Sequence, residues 1–288
     1  MSDILAKIKL LDDPDESIYQ TIKESLIKEG SSAIPILEET WTSEINPLVQ
    51  ERIEEIIKTI QFTEIKNELF QWKHTSGLDL AYGAYLIAKY FNPDCNWNEI
   101  DKKLDQLKKS VWVELNQNLT ALEKIRLLNH LLFDINHFKA DTTTPNNLRN
   151  FLINNVLDTK QGNALSLSIL YISIAQRLNL PVFGVDLPKN FICCYVDKIS
   201  AFEAFGDSAN NAVLFYINPF NRGSVFGRKE IDYFLDQAKL EPQQDFYSPC
   251  SNIAVIIRLI SNLTVIYKPL AKTQRMYELN ELSNILYT

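Results

Sequence analysis

The side chains of this chain that could attack a carbonyl or hold a metal are few: four cysteines, three histidines and three serines on one apolar stretch. Cys193 and Cys194 are adjacent in "NFICCYVD", a run whose composition predicts a strand, so their side chains point to opposite faces and one of them must face the core. A buried structural thiol is the ordinary state of such a residue. A catalytic thiol needs an electropositive, partly exposed setting, and Lys189 is the nearby cation. Cys95 precedes a helix predicted from about Trp97, where a lowered thiol pKa is conceivable, and Cys250 completes the set. His130, Asp134 and His137 follow one another at i, i+4 and i+7, a spacing that could hold zinc weakly but lacks a second anchoring element. His74 stands apart. Ser166, Ser168 and Ser173 lack a neighbouring general base and suit hydrogen bonds back to helix carbonyls. The carboxylates Asp186, Asp197, Glu203 and Asp207 have no paired spacing for glycoside chemistry. "GNALSLS" lacks the lysine and second glycine of a phosphate loop.

The elements that must position these residues follow from periodicity. In the first half, "DESIYQTIKESLIKEG" places Ile18, Ile22, Leu26 and Ile27 at helical spacing and ends at Gly30. "SSAIPILEETWTS" offers serines for N-capping and an early Pro35. "NPLVQERIEEIIKTIQF" and "TEIKNELFQWKH" predict two further helices, and short helices with an early proline suggest HEAT-like hairpins. "LDLAYGAYLIAKYF", "NEIDKKLDQLKKSVWVEL" and "TALEKIRLLNHLLFDI" continue the helical pattern. A polar turn carrying Gly162 then runs into "ALSLSILYISIAQRLNLP", a helix apolar on nearly every side. The period changes to two in "VFGVDLP", "NFICCYVD" and "AVLFYINPF". "RKEIDYFLDQAKL", "NIAVIIRLISNLTVIYK" and "KTQRMYELNELSNILY" return to helix. The expected fold is therefore α+β and predominantly helical. It comprises a helical arm over 1–118, a central core with a small antiparallel sheet over 119–240, and a C-terminal helical hairpin over 241–288.

The order of Gly162, buried helix, "LNLP" and strands resembles the transglutaminase-like superfamily, specifically its bacterial SirB-type branch. "LLNHLLFDINHF", "GNALSLSILYISIAQRLNLPVFGVDLPKNF", "FYINPFNRG" and "IIRLISNLTVIY" carry the resemblance, in the right order, over most of the chain. It implies a papain/transglutaminase-like core, a HEAT-like arm and a short, truncated tetratricopeptide-like tail. In catalytic members, a Cys two residues after the glycine opens the central helix, a His opens a strand, and an Asp before a proline ends the next. The helix dipole and the His lower the thiol pKa, and the Asp orients the imidazole. Carried over, those positions fall on Ala164, on Asn190 where "PGHF" is expected, and on Asn218 where "DPFN" is expected. None of the three can do the chemistry: Ala164 has no nucleophile, Asn190 no basic nitrogen and Asn218 no charge. Lys189, in place of a glycine, and Arg222 in "NPFNRG" add positive charge.

Bulk properties exclude several classes. The net charge is -7, and residues 1–75 carry 15 acidic against 8 basic side chains, so the remainder is close to neutral. No basic cluster offers a face to nucleic acid. No apolar run reaches the ~20 residues of a membrane span, and "MSDILAKIKLLDDPDES" carries no secretory pattern, so the cytoplasm is the expected compartment. With no secretion pattern the cysteines are expected reduced. The reading is a catalytically inactive transglutaminase-like protein without catalytic residue, cofactor or metal. Its partner is expected to be another protein, or an anionic small ligand in a relic cleft lined by Gly162, Lys189 and Arg222. An acyl-transfer or cysteine-hydrolase enzyme using displaced Cys193 or Cys194 is the alternative.

Overall fold

The computed structural model describes residues 2–116, 118–205, 212–268 and 273–287, which form a predominantly helical α+β fold. The chain divides into two compact units, Met1–Phe70 and Gln71–Thr288.

The first unit holds α1 (Ser2–Ile8), α2 (Glu16–Glu29), α3 (Ile34–Ser43) and most of α4 (Pro47–His74). Asp15 caps α2, its carboxylate accepting from the Ser17 amide at 2.8 Å. The predicted serine cap of α3 is absent. Ser31 and Ser32 lie in a 3-10 turn, Gly30–Ala33, that leads directly into α3, so the turn's own hydrogen bonds replace a side-chain cap. The two helices expected on either side of Phe62 are one, α4, because nothing between Leu48 and His74 breaks a helix. Leu11, Leu26, Leu37, Ile53 and Ile56 fill the core between these helices. Arg52 is buried with them. Its guanidinium donates to the Leu11 and Asp13 carbonyls at 2.7 and 2.8 Å and stacks over Tyr19, so the charge is not left unpaired.

The second unit is built around one helix. α5 (Leu80–Phe91), α6 (Trp97–Trp112) and α8 (Ile153–Thr159) pack against α9 (Ala164–Arg177). Every α9 residue from Leu165 to Ala175 is buried, which is why the sequence there is apolar on all sides. β3 (Val182–Val185), β4 (Ile192–Val196), β5 (Val213–Asn218) and β6 (Ser224–Phe226) form an antiparallel sheet in that order. α9 covers one face of the sheet, and α11 (Arg228–Gln237) packs on the other. Covering both faces buries both adjacent cysteines: Cys193 faces Ser168 and Tyr171 of α9, while Cys194 joins Ile231, Leu235 and Tyr247. α12 (Asn252–Tyr267) and α13 (Thr273–Tyr287) pair as the predicted hairpin.

Some elements depart from the periodic reading or fall below its reach. α7 (Ala121–Asn129) does not continue to Ile135 as a plain α-helix but widens into a π-helical turn, His130–Ile135. β1 (Lys139–Ala140) and β2 (Gln161–Gly162) form a two-residue parallel pair, too short to show alternation. β6 (Ser224–Phe226) has three residues, and α10 (Lys198–Phe205) is an eight-residue helix between β4 and β5 to which the sequence reading assigned no element. No helix of the described residues is long and apolar enough to cross a membrane.

Candidate functional site

α9 begins at a polar turn, and the turn is built for the helix. Asn163 is its N-cap: Oδ1 accepts from the Ser166 amide at 2.9 Å, and the Ser166 hydroxyl accepts in return from the Asn163 amide at 3.0 Å. Ser166 is thus committed to capping, and Ser173 donates back to the Ile169 carbonyl at 2.7 Å. Gly162 lies against this cap.

In front of the turn opens a cleft of about 730 Å³. Ala164 and Leu165, from the first turn of α9, form its floor with Asn163. Phe151, Phe191, Phe220, Val265 and Ile266 make an apolar wall. Asn146, Asn190 and Asn262 add carboxamides, and Lys189 and Arg258 supply positive charge; among the described residues no acidic side chain lines the cleft. The loop carrying Pro145 and Asn146 is held by Asp141, whose carboxylate accepts from the Thr143 and Thr144 amides at 2.9 and 3.0 Å. It accepts also from the Thr144 hydroxyl and the Asn150 amide nitrogen, both at 2.8 Å. The hydrogen bonds from Thr144 and Asn150 hold the Asp141 carboxyl well below the usual carboxylate range.

The sheet register brings the other two positions together. β4 and β5 are antiparallel with Cys193 opposite Ile217, so the start of β4 lies beside the end of β5. Asn190, two residues before β4, and Asn218, the last residue of β5, therefore share a second cavity of about 300 Å³ with Leu187 and Glu230. Ala164 and Asn190 share the large cleft, Asn190 and Asn218 the small one; Asn190 is common to both. Both asparagines spend a carboxamide oxygen locally. Asn190 accepts from the Phe191 amide at 2.9 Å, and Asn218 caps a 3-10 turn by accepting from the Phe220 amide at 3.1 Å.

Lys189 stands in the left-handed region at φ +61°, the conformation that favours glycine, and its side chain is exposed at the cleft. Arg222 is also left-handed, at φ +51°, but its guanidinium pairs with Asp134 at the surface and lines neither cavity. The second cation of the cleft is Arg258, which the sequence reading missed. The signal was present: Arg258 and Asn262 interrupt the apolar "IIRLISNLTVIY" one helical turn apart, so they share a face of α12. Arg258 approaches Asp186 with Nη1 3.3 Å from Oδ1, yet neither that oxygen nor Arg258 Nε makes a hydrogen bond. This is charge proximity without hydrogen-bond geometry.

Burial raises the pKa of every thiol. Cys193 and Cys194 are fully buried and pushed far up by desolvation. Cys250 is pushed up to about 12 by burial and then by Asp186. The helix-start setting of Cys95 does not lower its pKa: burial, with Glu99 and Asp158 adding to it, raises it to about 11. His130 Nδ1 lies 2.9 Å from Asp134, while His137 leaves the helical register at φ +58°. Among the described residues no three metal-ligating side chains gather. Asp186, Asp197 and Glu203 stay dispersed, and Asp207 lies outside the described residues.

Comparison with known proteins agrees with this architecture. Residues 98–261 match the transglutaminase-like superfamily. The chain is 26% identical over 203 residues to F-box only protein 21 of Homo sapiens, covering 63% of this chain and 31% of that protein. It is 22% identical over 201 residues to a UPF0162 protein of Xylella fastidiosa (strain 9a5c), covering 66% and 65%. A UPF0162 protein of Buchnera aphidicola subsp. Schizaphis graminum is 28% identical over 190 residues, covering 66% and 64%. The matches therefore span about a third of the F-box protein and just under two thirds of the bacterial ones. No solved structure matches the chain.

Proposed function

The chain belongs to the transglutaminase-like superfamily, and on that premise we propose that it is a catalytically silent member whose cleft binds a partner protein. One observation carries the reading: the cleft at the start of α9 presents a methyl group and carboxamides where the family's chemistry needs a thiol, an imidazole and a carboxylate. Ala164 occupies the first position of the helix, Asn190 stands across the same cleft, and Asn218 shares the adjoining cavity. The buried, high-pKa thiols Cys193 and Cys194 support the same conclusion, since a displaced nucleophile would need to ionise near neutral pH and reach the cleft. We assign the chain to the SirB-type branch on the four sequence stretches already named. The N-terminal helices, as HEAT-like hairpins, and the C-terminal hairpin, as a tetratricopeptide-like remnant, are further surfaces for the partner. A cytoplasmic site fits four unpaired cysteines.

Restoring the three groups tests this. The triple variant Ala164→Cys, Asn190→His and Asn218→Asp should acquire one thiol alkylated with a midpoint below the ordinary thiol value of about 8.5. The unaltered protein should show no such thiol. A native protein that already alkylates at neutral pH, or that hydrolyses activated esters through a cysteine, would return the displaced-thiol enzyme to favour.

A further inference from the structure

In the first unit, the turn that joins α3 to α4 carries three exposed apolar side chains. Trp41, Ile45 and Leu48 are 39%, 90% and 42% exposed. The backbone that presents them is tied down. Glu44 Oε1 accepts from the Ile45 and Asn46 amides, both at 2.8 Å, and Asn46 Oδ1 accepts from the Leu48 amide at 3.0 Å. Gln50 Nε2 donates to the Trp41 and Glu44 carbonyls at 3.3 and 2.9 Å, which joins the first turn of α4 to the last turn of α3. One exposed apolar residue is ordinary, but a group of them with a polar rim is the mark of an interaction surface.

The rim is acidic. Glu38 stands at i−3 from Trp41 on α3, and Glu51 at i+3 from Leu48 on α4, so each carboxylate neighbours one of the apolar side chains. Residues 29–51 hold five glutamates and no lysine or arginine. Other carboxylates of this unit meet cations: Glu55 pairs with Lys23, Glu54 with Lys58 and Glu29 with Lys7. Glu38, Glu39 and Glu51 are exposed and have no ion pair among the described residues. Arg52, the next base along α4, is buried and spends its guanidinium on the Leu11 and Asp13 carbonyls.

We propose that this turn docks a cationic, apolar segment of another protein. The segment's apolar side chains cover Trp41, Ile45 and Leu48, while its lysines or arginines meet Glu38, Glu39 and Glu51. This gives the partner-binding reading above a surface and a partner chemistry, and it uses nothing of the cleft. Charge selects among the occupants. A nucleic acid or an anionic membrane is repelled, and a second copy docking turn to turn sets glutamate against glutamate. A cationic segment takes its register and on-rate from the rim and its affinity from the apolar centre.

The test uses the full chain and three labelled peptides followed by fluorescence anisotropy. One is built of leucine and lysine, its leucines at i, i+3, i+4 and i+7. The second has glutamate for every lysine, and the third has serine for every leucine. The leucine–lysine peptide should bind, and the other two should bind about ten-fold more weakly or worse. Ile45→Ser, at a side chain too exposed to support the fold, should weaken that binding about ten-fold. Glu38→Gln with Glu51→Gln should weaken it about three-fold at low salt and flatten its salt dependence. Two controls should bind like the parent. Ile199→Ser removes an apolar side chain that is 73% exposed on α10, and Glu114→Gln with Glu241→Gln removes two exposed charges outside this turn. No loss from Ile45→Ser, an equal loss in the controls, or no binding of the leucine–lysine peptide would overturn the proposal. Equal binding of the serine–lysine peptide would overturn it by leaving charge as the whole of the interaction. A parent that dimerises in sedimentation while the Ile45→Ser protein does not would overturn it in favour of a second copy. The thiol-restoration experiment judges the cleft separately, so the two readings fail independently.

Discussion

A β-carbon on Gly162 would lie 2.6 Å from the hydroxyl oxygen of Ser166. That hydroxyl is locked in the capping box with Asn163, so it cannot swing aside without giving up the hydrogen bond it accepts from the Asn163 amide. The glycine two residues before Ala164 is thus required by the helix start itself.

Gly162→Ala should therefore destabilise the fold by about 1–3 kcal/mol, the usual cost of overpacking. Ser166→Ala alone should cost about 1 kcal/mol through the lost cap. In combination the two penalties should be less than additive, because removing the hydroxyl makes room for the methyl group. Urea unfolding of the two single variants and the double variant measures this; strict additivity would mean the contact is not what excludes a side chain.

Gly223 presents a stronger case. It is left-handed at φ +72°, and an added β-carbon would fall 1.9 Å from Asn129 Oδ1. Asn129 in turn links two elements, donating to the Gly223 carbonyl at 2.7 Å and accepting from the buried Tyr171 hydroxyl at 2.8 Å. Gly223→Ala should cost about 2–4 kcal/mol, strain and overpacking together. Asn129→Ala should cost about 1–3 kcal/mol by leaving the Tyr171 hydroxyl unpaired. Thermal unfolding compares them, and a Gly223→Ala protein as stable as the parent would refute the contact.

Lys189→Gly should go the other way. Releasing a left-handed non-glycine residue recovers about 1–2 kcal/mol, and the extra freedom of glycine in the unfolded chain takes back about 0.5–1 kcal/mol. The variant should be unchanged or up to about 1.5 kcal/mol more stable in denaturant titrations. A clear loss of stability would show that the lysine side chain makes a packing contribution.

The thiols should be inert in the folded protein. Burial favours the neutral form of Cys193, Cys194 and Cys250, and Cys95 is raised as well. Iodoacetamide at pH 8 should label none of the four quickly in the native state and all of them in guanidinium, as mass spectrometry would read. Rapid native labelling at Cys193 or Cys194 would contradict the double covering of the sheet.

Asp141 sets an acid limit on the cleft. Its folded pKa is depressed by hydrogen bonds to the charged form, so its contribution to stability is present above the unfolded value of about 3.9 and is lost as pH falls through the folded pKa. The 141–150 loop should stay ordered at pH 4, with protected Thr143 and Thr144 amides. A carboxyl titration of Asp141 followed by nuclear magnetic resonance, with its midpoint at or above 4, would contradict the four-bond arrangement.

The sequence by itself determined the elements with strong periods and the residue types at the start of the central helix and at the strand ends. The apolar circumference of "ALSLSILYISIA" required a helix buried on all sides, and the family resemblance pointed to Ala164, Asn190 and Asn218 before any fold was known. Period also located the strands that hold the cysteines. It could not join "KTIQF" to "TEIKNE", because phase continuity across a polar stretch is decided by packing, and it could not see β1, β2 or β6, whose two or three residues hold no period. The membership of the cleft was beyond it too. Arg222 and Arg258 look equally available in one dimension, yet a left-handed turn sends Arg222 to Asp134, while the α12 face carries Arg258 to the start of α9. Local sequence fixes what a segment can form and what a side chain can do. Which side chains meet depends on how separate elements pack, and that was decided only by the tertiary structure.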